Sequence, residues 1–323
     1  MRYPAKVYKN VKEFYENRLN ARKVAFSERT AKIHCEIPEI RDADKQISLL
    51  AVKFCSLAFQ QNSEENARLF REECEKINEY KRQLLVKNGY AEDYLEDKPL
   101  CEKCNDSGIC NGEMCSCFKE KLIEEIRKSS NLPLIMVQEN FDTFNVNYYS
   151  DEGVPSPRLI MTKVRDMCMD YAENFSKDSP NLLFYGGSGL GKTFLSGCIA
   201  KSVMDKGVSV FYQSAYKIFS MFDRIKFDDE KDEPVKFHTE NAYEVDLLII
   251  DDLGTEFITS YTAEVLFDLV NTRINNNKKT IINTNLGPEE LEKIYSPRIT
   301  SRLFGDYIPV EFYGNDIRRL KNS

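Results

Sequence analysis

The first third of the chain is patterned at helical spacing. In residues 43–60, Ile47, Leu50, Ala51, Phe54, Leu57 and Ala58 recur every three or four positions, the stripe of an amphipathic helix. The series Ala67, Phe70, Cys74, Ile77, Tyr80 and Leu84 predicts a helix over 64–87. A weaker stripe of Val11, Phe14, Tyr15, Leu19, Phe26 and Ile33 predicts one over 11–33, and Pro38 divides it from the next. Such a bundle serves as a solvated structural unit or as a docking surface, and the pattern fits both. Residues 99–118 break the spacing with Pro, Gly, Asn and closely set cysteines, and helical spacing returns over 119–129. Residues 145–157 are polar and turn-rich and read as a linker or surface loop. Beyond them the period alternates. A helix over 158–177 precedes short apolar runs at 182–185, 208–212, 245–250, 280–284 and 307–312, with helices from 191 and over 263–275 between them. Strands alternating with helices predict an α/β domain with a mainly parallel sheet. The run Asp228-Asp229-Glu230-Lys231-Asp232-Glu233 predicts a solvated loop.

Composition narrows this picture. A chain of 323 residues has room for about two domains. The longest wholly aliphatic run, 247–250, is too short to cross a bilayer, and Met1-Arg2-Tyr3-Pro4 opens no apolar signal segment. No membrane contact is expected, and the cytoplasm is the expected compartment. The net charge is −7, with the acidic excess beyond residue 98. A broad nucleic-acid groove needs a positive field, so any DNA contact must be local or assembled from several subunits. In a reducing compartment the ten cysteines read as metal ligands or buried thiols. Cys35, Cys55, Cys74, Cys168 and Cys198 lie in apolar stripes and read as core.

Gly186-Gly187-Ser188-Gly189-Leu190-Gly191-Lys192-Thr193 matches the phosphate-binding loop pattern and sits between a predicted strand and a helix. Glycines let backbone N–H groups curl around phosphate oxygens, and the helix N-terminus adds its positive dipole end. Lys192 is expected to reach the β- and γ-phosphates of ATP or the β-phosphate of ADP, and the Thr193 hydroxyl to hold Mg²⁺. Downstream, Leu247-Leu248-Ile249-Ile250-Asp251-Asp252-Leu253-Gly254 ends an apolar strand in acids at the carboxyl edge of the sheet. Asp251 is expected to help hold Mg²⁺ through water, and Asp252 to orient or deprotonate an attacking water.

These strings resemble the ATPase domain of the DnaC/DnaI/IstB group within AAA+. So do Thr255-Glu256-Phe257, Ile281-Ile282-Asn283-Thr284-Asn285-Leu286, Pro297-Arg298-Ile299-Thr300-Ser301-Arg302-Leu303 and Gly314-Asn315-Asp316-Ile317-Arg318. The resemblance covers 181–319. It implies that Asn285 is sensor 1, that Arg302 is an arginine finger acting on a neighbour's γ-phosphate (with Arg298 the second candidate), and that Arg318 is sensor 2. AAA+ enzymes usually carry Glu where Asp252 stands, so slow or partner-stimulated hydrolysis is implied. The chain ends soon after Arg318, so little or no helical lid is expected. The implied architecture is a helical region at 1–98, a zinc knuckle and linker helix at 99–137, and an AAA+ ATPase domain at 138–323.

Cys101-x-x-Cys104 and Cys115-x-Cys117 can close a four-thiolate Zn²⁺ site, with uncoordinated or redox-active thiols as the alternative. Cys110 lies inside the knuckle as a bystander or replacement ligand. Loaders of the DnaI type carry a zinc module ahead of the ATPase, so the resemblance implies an ATP-dependent loader. It would deliver a DnaB-type replicative helicase onto single-stranded DNA, together with other initiation proteins, by self-association or assembly on the helicase hexamer. An IstB-like transposition helper and an ATP-binding switch with little turnover are the alternatives. In loaders a Ser/Tyr segment after the acidic strand is associated with single-stranded DNA. Ser260 and Tyr261 occupy that place, although Thr259 or Ser260 as a helix cap with Tyr261 packed on the domain fits equally. Residues 214–227 form either a DNA-facing helix or an ordinary amphipathic one, and Phe141 and Phe144 are candidates to flank the adenine.

Overall fold

The computed structural model describes residues 4–57, 63–133, 140–227 and 233–320. Most of the acidic run, residues 228–232, lies outside them. Two compact units divide the chain, one of residues 12–118 and one of 119–323 with 1–11.

In the first unit, α1 (Ala5–Glu36), α2 (Pro38–Leu57) and α3 (Ser63–Lys87) follow the predicted stripes. Pro38 opens α2, where its missing N–H costs nothing. Ile33, Ile37, Ile40 and Leu85 bury each other completely or nearly so, with Tyr90 and Tyr94 alongside. The cysteine stretch folds as a two-stranded hairpin, β1 (Ile109–Cys110) and β2 (Glu113–Met114), turned by Asn111 and Gly112 at φ 51° and 81°. Two consecutive positive φ values are what a tight primed turn requires, and Asn-Gly supplies them.

The sequence division at 98/99 falls inside this unit, because Asp106 ties the cysteine stretch to α1. Asp106 is 1% exposed and accepts hydrogen bonds from Arg18 at 2.9 Å and Arg22 at 2.7 Å. It also takes the backbone N–H groups of Leu100 and Cys101, both at 3.0 Å. Burial alone would raise its carboxyl, but the Cys101 and Leu100 amides and the two guanidinium groups outweigh it and hold the group below the usual range. Tyr15 adds a ring contact to Phe118 at 5.1 Å. Asp106→Ala leaves two part-buried cations and two amides without this partner. It is expected to destabilise the unit by about 3 kcal/mol, read from its chemical unfolding transition.

In the second unit, α4 (Ser116–Ser129) leads through two 3-10 turns, Phe141–Thr143 and Val146–Tyr148, to α5 (Pro157–Glu173). There follow β3 (Asn181–Tyr185), α6 (Lys192–Asp205), β4 (Val210–Ser214), α7 (Ala215–Phe227), α8 (Glu233–Glu244) and β5 (Leu247–Leu253). Then come α9 (Ser260–Asn275), β6 (Lys279–Thr284), α10 (Pro288–Ile294), α11 (Pro297–Gly305), β7 (Tyr307–Glu311) and α12 (Ile317–Leu320). The five strands run parallel in the order β4-β5-β6-β3-β7. Both faces are covered, so alternate residues of one strand enter two cores. Leu182, Phe184, Leu247 and Ile249 join one cluster, and Leu183, Leu248 and Ile250 the other.

Arg273 of α9 is wholly buried. Its guanidinium donates to Thr280 Oγ1 at 3.0 Å and to the carbonyls of Ala242 at 2.9 Å, Tyr243 and Val245 at 3.1 Å and Lys279 at 2.5 Å. A cation at the carbonyl end of α8 is favoured by the helix dipole. Burial nevertheless pulls it down to about 10. Of the cysteines read as core, Cys168 and Cys198 are buried, Cys74 is half-buried and Cys35 is exposed at the last turn of α1. The Cys55 side chain lies outside the described set.

Candidate functional site

The strand order puts the end of β6 between the ends of β3 and β5, so the glycine loop, the acidic strand end and Asn285 meet at one edge. Gly186, Gly189 and Gly191 sit at φ 133°, 74° and 93°, values that side chains rarely adopt. Space forbids a side chain there as well: a Cβ on Gly186 would stand 2.5 Å from the Phe312 carbonyl oxygen, and one on Gly189 1.8 Å from Asp316 Oδ1. Gly187 and Ser188 are exposed, while Leu190 is buried. Lys192, 5% exposed, donates to the carbonyls of Gly186 and Gly187 at 2.7 Å and to Asn285 Oδ1 at 2.8 Å. Burial lowers its ammonium to about 8, against the opposing pull of Asp252 and Asp251.

At the end of β5 the register with β6 shifts between Ile250 and Leu253, and Asp252 takes φ 54°. A bulge of this kind re-aims side chains at a strand end. Asp251 is buried and lies 3.1 and 3.2 Å from the Thr193 hydroxyl. Burial and then Asp251 raise the Asp252 carboxyl, while Lys192, Arg318 and a bond from Asn285 act against the rise. Arg318 therefore lies within electrostatic reach of both Lys192 and Asp252. Its segment is fixed on the glycine loop, because the Ile317 N–H donates to the Gly189 carbonyl at 3.1 Å.

Arg302 lies on α11 and pairs with Asp306 at 3.3 Å; Arg298 is exposed on the same helix. Among the described residues neither bonds to the glycine loop. Thr259 caps α9, accepting the Thr262 N–H at 3.1 Å. Ser260 is exposed, whereas Tyr261 is half-buried against the core and donates its hydroxyl to the Phe222 carbonyl at 3.1 Å. This is the packing arrangement of the two the sequence left open. Helix α7 is amphipathic: Ile218 and Phe219 are buried while Tyr216 and Arg224 are exposed.

Several site residues escape the sequence reading. Tyr212 and Asn283 both bond to Asp251, and Tyr149 donates its hydroxyl to the Leu190 carbonyl at 2.8 Å. Residues 145–157 are therefore not merely a surface loop: Tyr149 is 1% exposed and packs beside Phe144. A polar Asn inside a buried strand was the available signal for Asn283. Tyr149 offered only an aromatic ring within a polar stretch.

In the first unit, Cys101, Cys104, Cys115 and Cys117 bring their sulfurs within 4.8 Å of one another. Cys101 and Cys115 stand 3.8 Å apart, and Cys104 and Cys117 3.5 Å. Four thiolates around one Zn²⁺ at about 2.3 Å stand about 3.8 Å apart, so this donor set fits that ion. Cys110 is outside the cluster. The Cys117 backbone N–H leads the influences that lower the Cys115 thiol.

The parallel sheet, glycine loop and paired acids are those of a P-loop nucleotide-binding domain, similar to the ATPase domains of the AAA+ group. The family profile "Bacterial DnaA ATPAse domain" matches residues 162–307. The homologues of this chain include helicase loaders: the replicative helicase loader DnaI of Bacillus subtilis is 23% identical, with 70% of this chain and 81% of DnaI covered. The replicative helicase loader DnaC of Escherichia coli is 28% identical, covering 41% and 54%. The chromosomal replication initiator DnaA of Rickettsia bellii is 32% identical over 50% of this chain, which spans only 35% of that relative. A crystal structure of the DnaC helicase loader superposes with TM-score 0.47 at 19% identity, covering 56% of this chain and all of that one. Among the described residues no helix is long and apolar enough to cross a membrane.

Proposed function

We propose that this chain is an ATP-dependent loader that delivers a DnaB-type replicative helicase onto single-stranded DNA in the cytoplasm. The observation that carries this reading is extent. Similarity to the loader DnaI covers 70% of the chain, whereas similarity to the initiator DnaA covers 50%. The cysteine knuckle ahead of the ATPase domain also favours a loader over an IstB-like helper.

Lys192 and the glycine-loop amides would bind the phosphates, with Thr193 and Asp251 holding Mg²⁺. The ion would neutralise charge on the β- and γ-oxygens. Asp252 orients the attacking water and Asn285 fixes both Lys192 and that water. Arg318 stabilises charge within the same subunit. Arg302 does so across a subunit boundary when the protein assembles on itself or on a helicase hexamer. Ser260, exposed at the start of α9, is the part of its segment open to a DNA strand. Zn²⁺ on the four cysteines is structural, since a closed thiolate site keeps no open position.

The test is a pull-down of the full chain against the replicative helicase of the same organism, with ATP, with ADP and without nucleotide. Binding that changes with the nucleotide is expected. No binding in any condition, with the chain shown folded, returns the weight to the transposition or switch reading.

A further inference from the structure

Asp251 is held by more than its place on β5. Asn283 Nδ2 donates to Asp251 Oδ1 at 2.8 Å, and the Tyr212 hydroxyl donates to Oδ2. The two donors come from the strands on either side of β5. Ser214 is in register with Asp251, and Tyr212 shares its face of β4, so the long ring reaches forward along the strand. Asn283 is itself anchored, with its Nδ2 also 2.8 Å from the hydroxyl of Ser196 on α6. Ser196 in turn donates to the Thr193 carbonyl at 3.1 Å. One carboxylate oxygen is thus held from β4, the other from β6, and both face the Thr193 hydroxyl.

Packing alone does not account for Tyr212. It is 4% exposed and its ring lies in the apolar cluster beneath the sheet. A phenylalanine would fill the same space without burying a hydroxyl, which is costly unless bonded. The carboxylate of Asp251 accepts the bond that hydroxyl donates, and the Ser196 side chain also bonds to it.

We propose that Tyr212 and Asn283 are positioning residues for the divalent cation, aligning the Asp251 carboxylate with Thr193 from opposite neighbouring strands. This inference rests on the nucleotide reading of the site and deepens it. Partners that orient a ligating carboxylate are typically worth 10–100-fold in metal affinity. Both residues act through Asp251 and touch neither nucleotide nor ion.

The test uses the full chain and binding rather than turnover. Affinity for a fluorescent ATP analogue is measured across a Mg²⁺ titration and again in EDTA, for wild type, Tyr212→Phe and Asn283→Ala. The Mg²⁺ midpoint is expected to rise about tenfold in Tyr212→Phe, with affinity in EDTA unchanged. The nucleotide-free melting temperature should stay near wild type. Asn283→Ala is expected to move the midpoint in the same direction, and Mn²⁺, which carboxylates bind more tightly, to recover part of the loss. An unchanged midpoint overturns the inference. An equal loss of affinity with and without Mg²⁺ also overturns it, because that is the mark of altered packing. Nucleotide binding by wild type that ignores Mg²⁺ would overturn the underlying reading instead, and show itself before either variant is compared.

Discussion

Lys192→Ala is expected to lower ATP affinity by roughly 100-fold or more, measured by equilibrium binding of a fluorescent analogue. The argument starts from the ammonium's surroundings. It is buried and held by two loop carbonyls and Asn285, within 2.8 Å of each. Charge-assisted hydrogen bonds to phosphate are worth about 1.5–3 kcal/mol each, so losing two of them costs about 3 kcal/mol or more. The same burial gives the binding a pH signature. Lys192 titrates near 8 before phosphate arrives. Phosphate favours the charged form and raises that value, so binding above pH 8 takes up a proton. The sign follows directly. Below pH 8 the lysine is already charged and its contribution is flat. Above pH 8 the observed affinity falls by up to about tenfold per unit. An affinity flat from pH 7 to 9.5, or full retention in Lys192→Ala, would remove this lysine from the phosphate site.

What could be read from the residues follows from which interactions are local. Fully buried parallel strands announce themselves as apolar runs, so 182–185 and 247–250 were legible, as were the loop Gly186 to Thr193 and the acids after it. The helices α10 and α11 leave no stripe in the sequence, although Pro288 and Pro297 stand at their starts as N-terminal signals. Both are under ten residues, too short for a stripe to stand out. The support around Asp251 was illegible for a different reason. Tyr212 meets Asp251 only through the pairing of β4 with β5, and Asn283 only through that of β5 with β6. Nothing in either residue's neighbourhood along the chain marks the meeting. The junction of cysteine stretch and α1 is similar: Arg18 and Arg22 read as ordinary helix charges until Asp106, more than eighty positions away, is seen between them.

Removal of metal from the cysteine cluster is expected to have the larger effect on the first unit. The four sulfurs are already at spacings that a single Zn²⁺ would impose. Structural zinc sites bind with about 10–16 kcal/mol, comparable to or above the whole stability of a typical domain. Apart from the bonds to Asp106 the segment has little else to hold it: its hairpin has two residues per strand, and Cys104, Cys115 and Phe118 are its buried apolar side chains. Purified chain should carry one equivalent of zinc, and Cys104→Ser should lose it while Cys110→Ser keeps it. Hydrogen exchange should then show residues 99–118 exchanging within minutes in Cys104→Ser or after chelation. Protection of α1 around Tyr15 and Arg22 should fall with them, because Asp106 and Phe118 are their partners. Protection of strands β3, β5 and β6 should not change, since their cores contain no cysteine of the cluster. Metal-free chain with full protection over 99–118 would make the cluster a set of packed thiols. Loss of zinc in Cys110→Ser with retention in Cys104→Ser would put Cys110 in place of Cys104 in the ligand set.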